Sequence, residues 1–482
     1  MSDLPPPHPA VLAVDLDGTL LRSDMLHETF WSALAHDWRV MPLSLLHLGR
    51  GRAALKDMLA RRAQVDIASL PYDAQVIDYI RDWRARGGRV ALVTASDQSV
   101  AQAIAAHLDL FDEVHGSDGI RNLKGANKAA FLVERYGKGG FAYAGDHPAD
   151  LKVWHDAGHA VVNSHSSALR RGAGAGGASV DVLDPPRMQW HALAKALRPH
   201  QWAKNALIFL PVAAAHHFAA AIWALALAAF VAFSLIASSV YLLNDLLDLS
   251  ADRAHPRKRE RPFASGRVPI ALGLPATACL LAVGGAIALA LGWRFFAVML
   301  VYYIATTAYS LDLKRRPVID VCVLAGLYTI RIVAGGVGTG TPLSGWLITF
   351  SLFLFFSLAA VKRQAELVDT ARAGKLSLTG RGYHADDLDF VTQMGTASGY
   401  VSVLVMTLYV SSDAVRPLYP HPQALWAISP VLLYWVSRMI FTAHRGQMHD
   451  DPVVFAMKDK ASLLCGLLVV IIAVAGALPW PA

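Results

Sequence analysis

From residue 201 onward the chain returns again and again to apolar runs of membrane-spanning length, such as AIWALALAAFVAFSLIASSVYLL at 221–243. A run of about 20 apolar residues crosses a hydrocarbon core as a helix, because only a helix satisfies its own backbone polar groups there. Nine such spans are expected, at 203–218, 221–243, 269–291, 295–310, 318–337, 343–361, 395–412, 423–441 and 461–480. Residues 1–190 carry scattered charge instead. The 54% hydrophobic and 17% charged composition of the 482 residues is therefore an average over two unlike parts. The expected division is a soluble domain over 1–185, a linker over 186–200, and an all-α polytopic membrane domain over 201–482.

The net charge of +7 falls mostly in alternate loops, from Arg253 to Arg267, Lys314 to Arg316, Lys362 to Arg381, and at Arg445, Lys458 and Lys460. The opposite loops hold Arg294 and Arg416. This asymmetry follows the positive-inside pattern and predicts a multi-pass protein of the inner, cytoplasmic membrane with its N-terminal domain in the cytosol. It also accounts for the basic balance without nucleic acid, which is not expected as a partner. The N-terminus MSDLPPPHPA has no basic and apolar leader pattern. Cys279, Cys322 and Cys465 lie in apolar runs, without disulfide-framework or zinc spacing.

Within the soluble part, VLAVDLDGTL, GGRVALVTAS and GGFAYAGDH read as short buried strands ending in polar residues, with helical patterns between them. Strands alternating with helices predict a parallel, Rossmann-like α/β sheet. Residues 24–80 interrupt the alternation and read as a small helical cap. The glycines Gly172, Gly174 and Gly177 spell GxGxxG, but no strand immediately precedes them, so a nucleotide site is not expected. Chemistry in such sheets gathers at the carboxyl ends of strands. Asp15, Asp17, Thr94, a lysine at 124 or 128, Asp146 and Asp150 fall there.

These motifs, in this order across 11–165, resemble the haloacid-dehalogenase-like (HAD-like) phosphatases. The resemblance implies Asp15 as a nucleophile forming an aspartyl-phosphate and Asp17 as acid and base. It implies Mg²⁺ on Asp15 and Asp146, with Asp150 beside the metal, and phosphoryl oxygens held by Thr94 and Lys128, with Lys124 left open as the other lysine.

The second chemical feature is NDLLDLSADRAHPRKRERPFASG at 244–266. On a helix, Asp245, Asp248 and Asp252 share one stripe, although like charges at that spacing destabilise it. Ionisable groups beside a span are candidates for function. Dense carboxylate oxygens suit Mg²⁺ shared with substrate phosphates, and Lys258, Arg259 and Arg261 can hold the phosphate oxygens. The chain there, over 193–480, resembles the UbiA-like intramembrane prenyltransferases, whose NDxxDxxxD pattern is met by Asn244, Asp245, Asp248 and Asp252.

The stretches LRPHQWAKN with Lys204, YSLDLKRRPVIDV, IRIVAGG, LAAVKRQAEL and HDDPVVFAMKDKAS resemble the polyprenyl-phosphate phosphoribosyltransferase branch. That resemblance implies Tyr309, Lys314 and Asp320 as further site residues, Asp320 on the metal, then Lys362, Arg363 and Glu366, with His449, Asp450 and Asp451 as an additional group. Phe263 departs from the isoleucine expected in RPIASG. The implied partners are polyprenyl phosphate and phosphoribosyl diphosphate. The implied cofactor is Mg²⁺ at both sites, and homo-oligomerisation is left open. The alternative is an aromatic prenyltransferase using prenyl diphosphate, with the phosphatase acting elsewhere.

Overall fold

A computed structural model describes residues 9–118, 122–255, 258–378, 380–448 and 451–478. Two compact units divide the chain: Met1–Leu197 with Tyr241–Ala276, and Arg198–Val240 with Thr277–Ala482. The first unit therefore holds a segment expected in the membrane domain, the one that carries NDxxDxxxD. The region read as a linker holds a helix, Trp190–Ala196.

The first unit is built on six parallel strands, β1 (Val11–Val14), β2 (Arg89–Asp97), β3 (Glu113–Ser117), β4 (Phe141–Gly145), β5 (His159–Asn163) and β6 (Ser179–Leu183). Their order is β3-β2-β1-β4-β5-β6. Successive side chains on a strand point to opposite faces, so both faces must be covered. Leu12, Val14 and Leu92 pack with Val76, Ile80 and Trp83 on one side. Val11, Ala13, Val93 and Tyr143 pack with Leu132 and Trp154 on the other. Each fully buried Leu or Ile contributes about 2 kcal/mol. The order reverses between β1 and β4, and the crevice at their carboxyl ends is where ligands of such sheets bind.

The cap consists of α1 (Met25–His36), α2 (Val40–Leu48) and α3 (Arg52–Arg62), closed around Ala33, Val40, Leu55 and Leu59. It is shorter than 24–80. The chain re-enters the core at the bridge between Leu21 and Tyr72, and helix Ala74–Ala85 packs under the sheet.

Eight helices among the described residues are long and apolar enough to cross a membrane, from Ala220–Leu247 to Lys460–Ala477. The ninth expected span, 203–218, is instead a 3₁₀ run, Pro199–Phe209, followed by the short helix Leu210–Ala214. Its polar residues explain this: Asn205 is buried and Lys204 pairs with Asp451, so the segment turns toward protein rather than lipid. Leu463, Leu467, Val470 and Ile471 of the last helix are exposed, as a lipid-facing surface requires.

Candidate active sites

The end of β1 turns sharply at Gly18, where φ is +77° and a Cβ would stand 2.4 Å from Asp146 Oδ2. Only glycine lets the DLDGT turn approach β4 so closely. One oxygen each from Asp15, Asp146 and Asp150 lie within 4.8 Å of one another. Lys128, buried at the start of its helix, places Nζ 2.8 Å from Asp15 Oδ1 and donates to Tyr143 Oη at 2.9 Å. Lys124 is exposed. Asp150 accepts from Tyr143 Oη at 2.9 Å and from the backbone N–H groups of Asp146 and His147. Thr19 donates to Asp146 at 3.1 Å, and Thr94 is wholly buried in β2.

Burial, then the charges of Asp15 and Asp150, push the Asp146 carboxyl up to about 8. Asp150 moves up for the same leading reason, followed by the charge of Asp15. Asp17 receives the Met25 N–H from α1 at 2.7 Å and the Ser96 hydroxyl at 2.7 Å. Burial and the charge of Asp24 raise it to about 6. Sequence reasoning missed Ser96, Tyr143 and Lys56, whose Nζ reaches from α3 to Ala95 O at 2.6 Å. Ser96 was legible as the neighbour of Thr94 in VTAS. Lys56 was not, because nothing in the cap sequence says which lysine points inward.

The second acidic site lies where helix Ala220–Leu247 gives way to helix Leu249–Ala254. The axis breaks at Asp248, yet the N–H groups of Asp248 and Asp252 still donate four residues back, which keeps the three aspartates in one stripe. Asp245 and Asp252 are almost wholly buried, and Arg261 Nη1 bridges them at 3.1 and 2.6 Å. Burial raises Asp252 to about 6, against the opposing pull of Arg261. Among the described residues the buried Asn244 Oδ1 has no hydrogen-bond partner. Lys258 and Arg259 are exposed in the turn Lys258–Glu260, and Phe263 is fully buried.

The second unit holds a separate polar cluster. Asp451 accepts from Tyr328 Oη at 2.8 Å and pairs with Lys204 at 3.0 Å and Lys362 at 3.2 Å. These cations hold its carboxyl below the usual range despite burial. Arg331 donates to Asn205 at 2.9 Å and lies over the rings of Phe233, Tyr302 and Tyr328. Asp320 is fully buried, 2.7 Å from Arg363 and accepting from Tyr383 Oη at 2.6 Å. Arg363 also pairs with Glu366, and Arg381 donates to Tyr309 Oη at 2.9 Å. Lys314 is half-buried in the turn Leu313–Arg315. His449 and Asp450 lie outside the described residues. An apolar cavity of about 1200 Å³ is lined by Trp346, Tyr409, Leu425, Val469 and Ala456, the last in the helix that Asp451 caps.

Two units with two acidic sites, one on a parallel sheet and one beside membrane helices, define a multi-pass membrane protein of the UbiA prenyltransferase family joined to a HAD-like domain. The UbiA prenyltransferase family model matches residues 205–458, more than half of the chain, and the chain belongs to that family. The model of the haloacid dehalogenase-like hydrolases matches residues 12–155.

Protein y4nM of Sinorhizobium fredii is 40% identical over 466 residues, 95% of this chain and 89% of that protein. The nodulation protein NoeC of Azorhizobium caulinodans is 37% identical over 275 residues, 56% of this chain and 88% of that protein. The decaprenyl-phosphate phosphoribosyltransferase of Mycolicibacterium smegmatis is 41% identical over 290 residues, 57% of this chain and 89% of that protein.

Proposed function

We propose that this chain moves 5-phosphoribose from phosphoribosyl diphosphate to polyprenyl phosphate and then removes the 5-phosphate, leaving polyprenyl-phosphoryl-ribose. The observation that carries the reading is the 41% identity to the mycobacterial phosphoribosyltransferase over nearly all of that protein, in a chain that also carries a HAD-like domain. The N-terminal domain lies on the cytosolic face of the inner membrane, as the basic loops favour.

In the transfer step a polyprenyl-phosphate oxygen attacks C1 of the ribose and the bond from C1 to the diphosphate breaks. The acceptor oxygen is already anionic, so no strong base is needed, and the protein supplies positioning and charge. The stripe of Asp245, Asp248 and Asp252 suits Mg²⁺, since Asp245 and Asp252 are almost wholly buried and burial disfavours their charged forms. The ion, when bound, neutralises charge on the departing diphosphate. Arg261, Lys258 and Arg259 then serve the diphosphate oxygens, while the Asn244 Oδ1, an acceptor, suits a cation or a ribose hydroxyl of the donor. Lys204 and Lys362 serve the anionic groups of the substrates. We read Asp320 as the carboxylate that holds Arg363 rather than as a metal ligand, because its oxygens already face Arg363 and Tyr383. The apolar cavity suits the polyprenyl tail.

In the hydrolytic step Asp15 attacks phosphorus and the bond to the ribose O5 breaks. Asp17, raised to about 6, gives that oxygen its proton and later takes one from the water that cleaves the aspartyl-phosphate. Thr94 and Lys128 hold phosphoryl oxygens. Asp15, Asp146 and Asp150 fit a second Mg²⁺, because one oxygen of each lies within 4.8 Å of the others and burial with mutual repulsion raises Asp146 and Asp150 despite Lys128 beside them.

The test of transfer is mass spectrometry of lipids from membranes carrying the full chain, supplied with polyprenyl phosphate, phosphoribosyl diphosphate and Mg²⁺. A pentose-bearing lipid that disappears in Asp245→Asn is the expected result. No pentose-bearing lipid, with a prenylated aromatic product when prenyl diphosphate and an aromatic acceptor are supplied, overturns it.

A further inference from the structure

The loop beyond NDxxDxxxD is tied to the phosphatase cap. Arg253, next to Asp252, turns its guanidinium into α1. Nη1 donates to Glu28 Oε2 at 2.9 Å and Nη2 to Glu28 Oε1 at 2.7 Å, with only 4% and 3% of the two side chains exposed. The third arm, Nε, donates to Ala264 O at 3.0 Å. A second contact stands two residues further on. Gly266, at φ +70°, brings the same loop against Pro71 and Arg22, whose Cβ atoms would lie 3.3 and 3.4 Å from a Cβ built there. Arg22 N–H donates to Pro71 O at 2.9 Å beside the Leu21–Tyr72 bridge, so these are the two segments by which the chain enters and leaves the cap.

The fork has a consequence for the acidic site. Asp252 precedes Arg253 in its helix, while Arg261 lies three residues before Ala264. Through Nε, Arg253 thus ties the segment bearing Asp252 to the segment bearing Arg261, the two partners of the 2.6 Å ion pair, while its other two arms fix the guanidinium on Glu28. Glu28 takes two of those arms. A bidentate, planar pairing of this kind sets orientation as well as charge, and it would not survive replacement of the guanidinium by an ammonium. Met25, the first residue of the same α1, donates its N–H to Asp17 at 2.7 Å. One 12-residue helix therefore touches the acid–base residue of the phosphatase site at its start and, one turn later, Arg253, the neighbour of Asp252.

We propose that Glu28, a residue of the phosphatase cap, is a positioning residue of the diphosphate site: through Arg253 it sets the placement of Asp252 relative to Arg261, so the cap is part of the transferase. The proposal rests on reading Asp245, Asp248 and Asp252 as that site.

The test is calorimetric titration of the full chain in detergent with Mg²⁺ and inorganic pyrophosphate, the group that phosphoribosyl and prenyl donors have in common. Binding removed by Asp245→Asn defines the diphosphate site. Glu28→Gln and Arg253→Lys are each expected to weaken that binding about tenfold, the size typical of losing a residue that orients metal ligands. Arg62→Ala, which breaks the exposed cap pair with Asp37, is expected to leave it unchanged. Arg253→Lys keeps the buried charge, so it decides the matter should Glu28→Gln fail to fold. Binding within twofold of the unaltered chain in Arg253→Lys overturns the role of Glu28. Binding insensitive to Asp245→Asn overturns the diphosphate reading itself, and the role of Glu28 with it.

Discussion

The two acidic sites of the first unit balance their charge in different ways. At the ends of β1 and β4, Lys128 pairs with Asp15, while Asp146 and Asp150 accept from Thr19, Tyr143 and backbone N–H groups, all of them neutral. Burial and the charges of Asp15 and Asp150, opposed by the Thr19 hydroxyl, push Asp146 up to about 8. Beside the membrane helices, Arg261 bridges Asp245 and Asp252 directly, and Asp252 stands lower, at about 6. Hydrogen bonds from neutral donors stabilise a carboxylate less than a guanidinium at the same distance. In the first site Lys128 answers one of three crowded carboxylates, which calls for a further cation from outside. In the second, the cation bridging two carboxylates would have to move for the proposed metal and diphosphate to enter.

The largest effect expected is at the nucleophile. Asp15→Asn should lower phosphomonoester hydrolysis about ten-thousandfold or more, as loss of a covalent nucleophile does, read as phosphate release from a small phosphoester. A small loss would break the comparison at its first term.

The next concerns the built-in cation. Removing it with Arg261→Met takes away the charge that holds Asp252 down, so its carboxyl should rise above 6. Binding of Mg²⁺ with pyrophosphate should then weaken about tenfold at pH 6.5 and less at pH 8.5. Equal weakening at both pH values would show that Arg261 acts only on the phosphate oxygens.

The third concerns the missing cation. Asp146 is raised from 3.8 to about 8, so the folded, metal-free domain holds a proton that the unfolded chain has lost. Its stability should fall as pH rises from about 4 to about 8. Mg²⁺ competes with that proton, so its affinity should rise about tenfold per pH unit up to pH 8 and then level off. A thermal melt with and without Mg²⁺ should accordingly show a larger gain at pH 8.5 than at pH 6. The smallest effect is expected at the exposed Lys124, where alanine should change hydrolysis less than about twofold.

Much of this was legible because the chemistry sits in short local motifs. DLDGT, VTAS and GDHPAD each end a buried strand, and short apolar runs ending in polar residues placed those strands. NDxxDxxxD declared its stripe through spacing alone. What was not legible depends on contacts between distant residues. Lys124 and Lys128 lie together at one helix start, and only packing against Tyr143 turns Lys128 inward. Glu28 reads as a polar residue of an amphipathic helix until Arg253, 225 positions away, closes on it. The run at 203–218 is apolar enough to suggest a span, but Lys204 has its partner at Asp451, nearly 250 residues later. Asp320 looked like a ligand by resemblance, and its pairing with Arg363 and Tyr383 emerges only once two helices and a loop are assembled.

The central claim, that one chain makes a phosphorylated pentosyl lipid and then dephosphorylates it, is tested most directly by comparing lipid products of the intact chain and of Asp15→Asn. Both receive polyprenyl phosphate, phosphoribosyl diphosphate and Mg²⁺, and the lipids are resolved by mass. The account predicts ribosyl lipid from the intact chain and accumulated phosphoribosyl lipid from the variant. Phosphoribosyl lipid in equal amount from both would contradict it, since the phosphatase would then serve some other substrate.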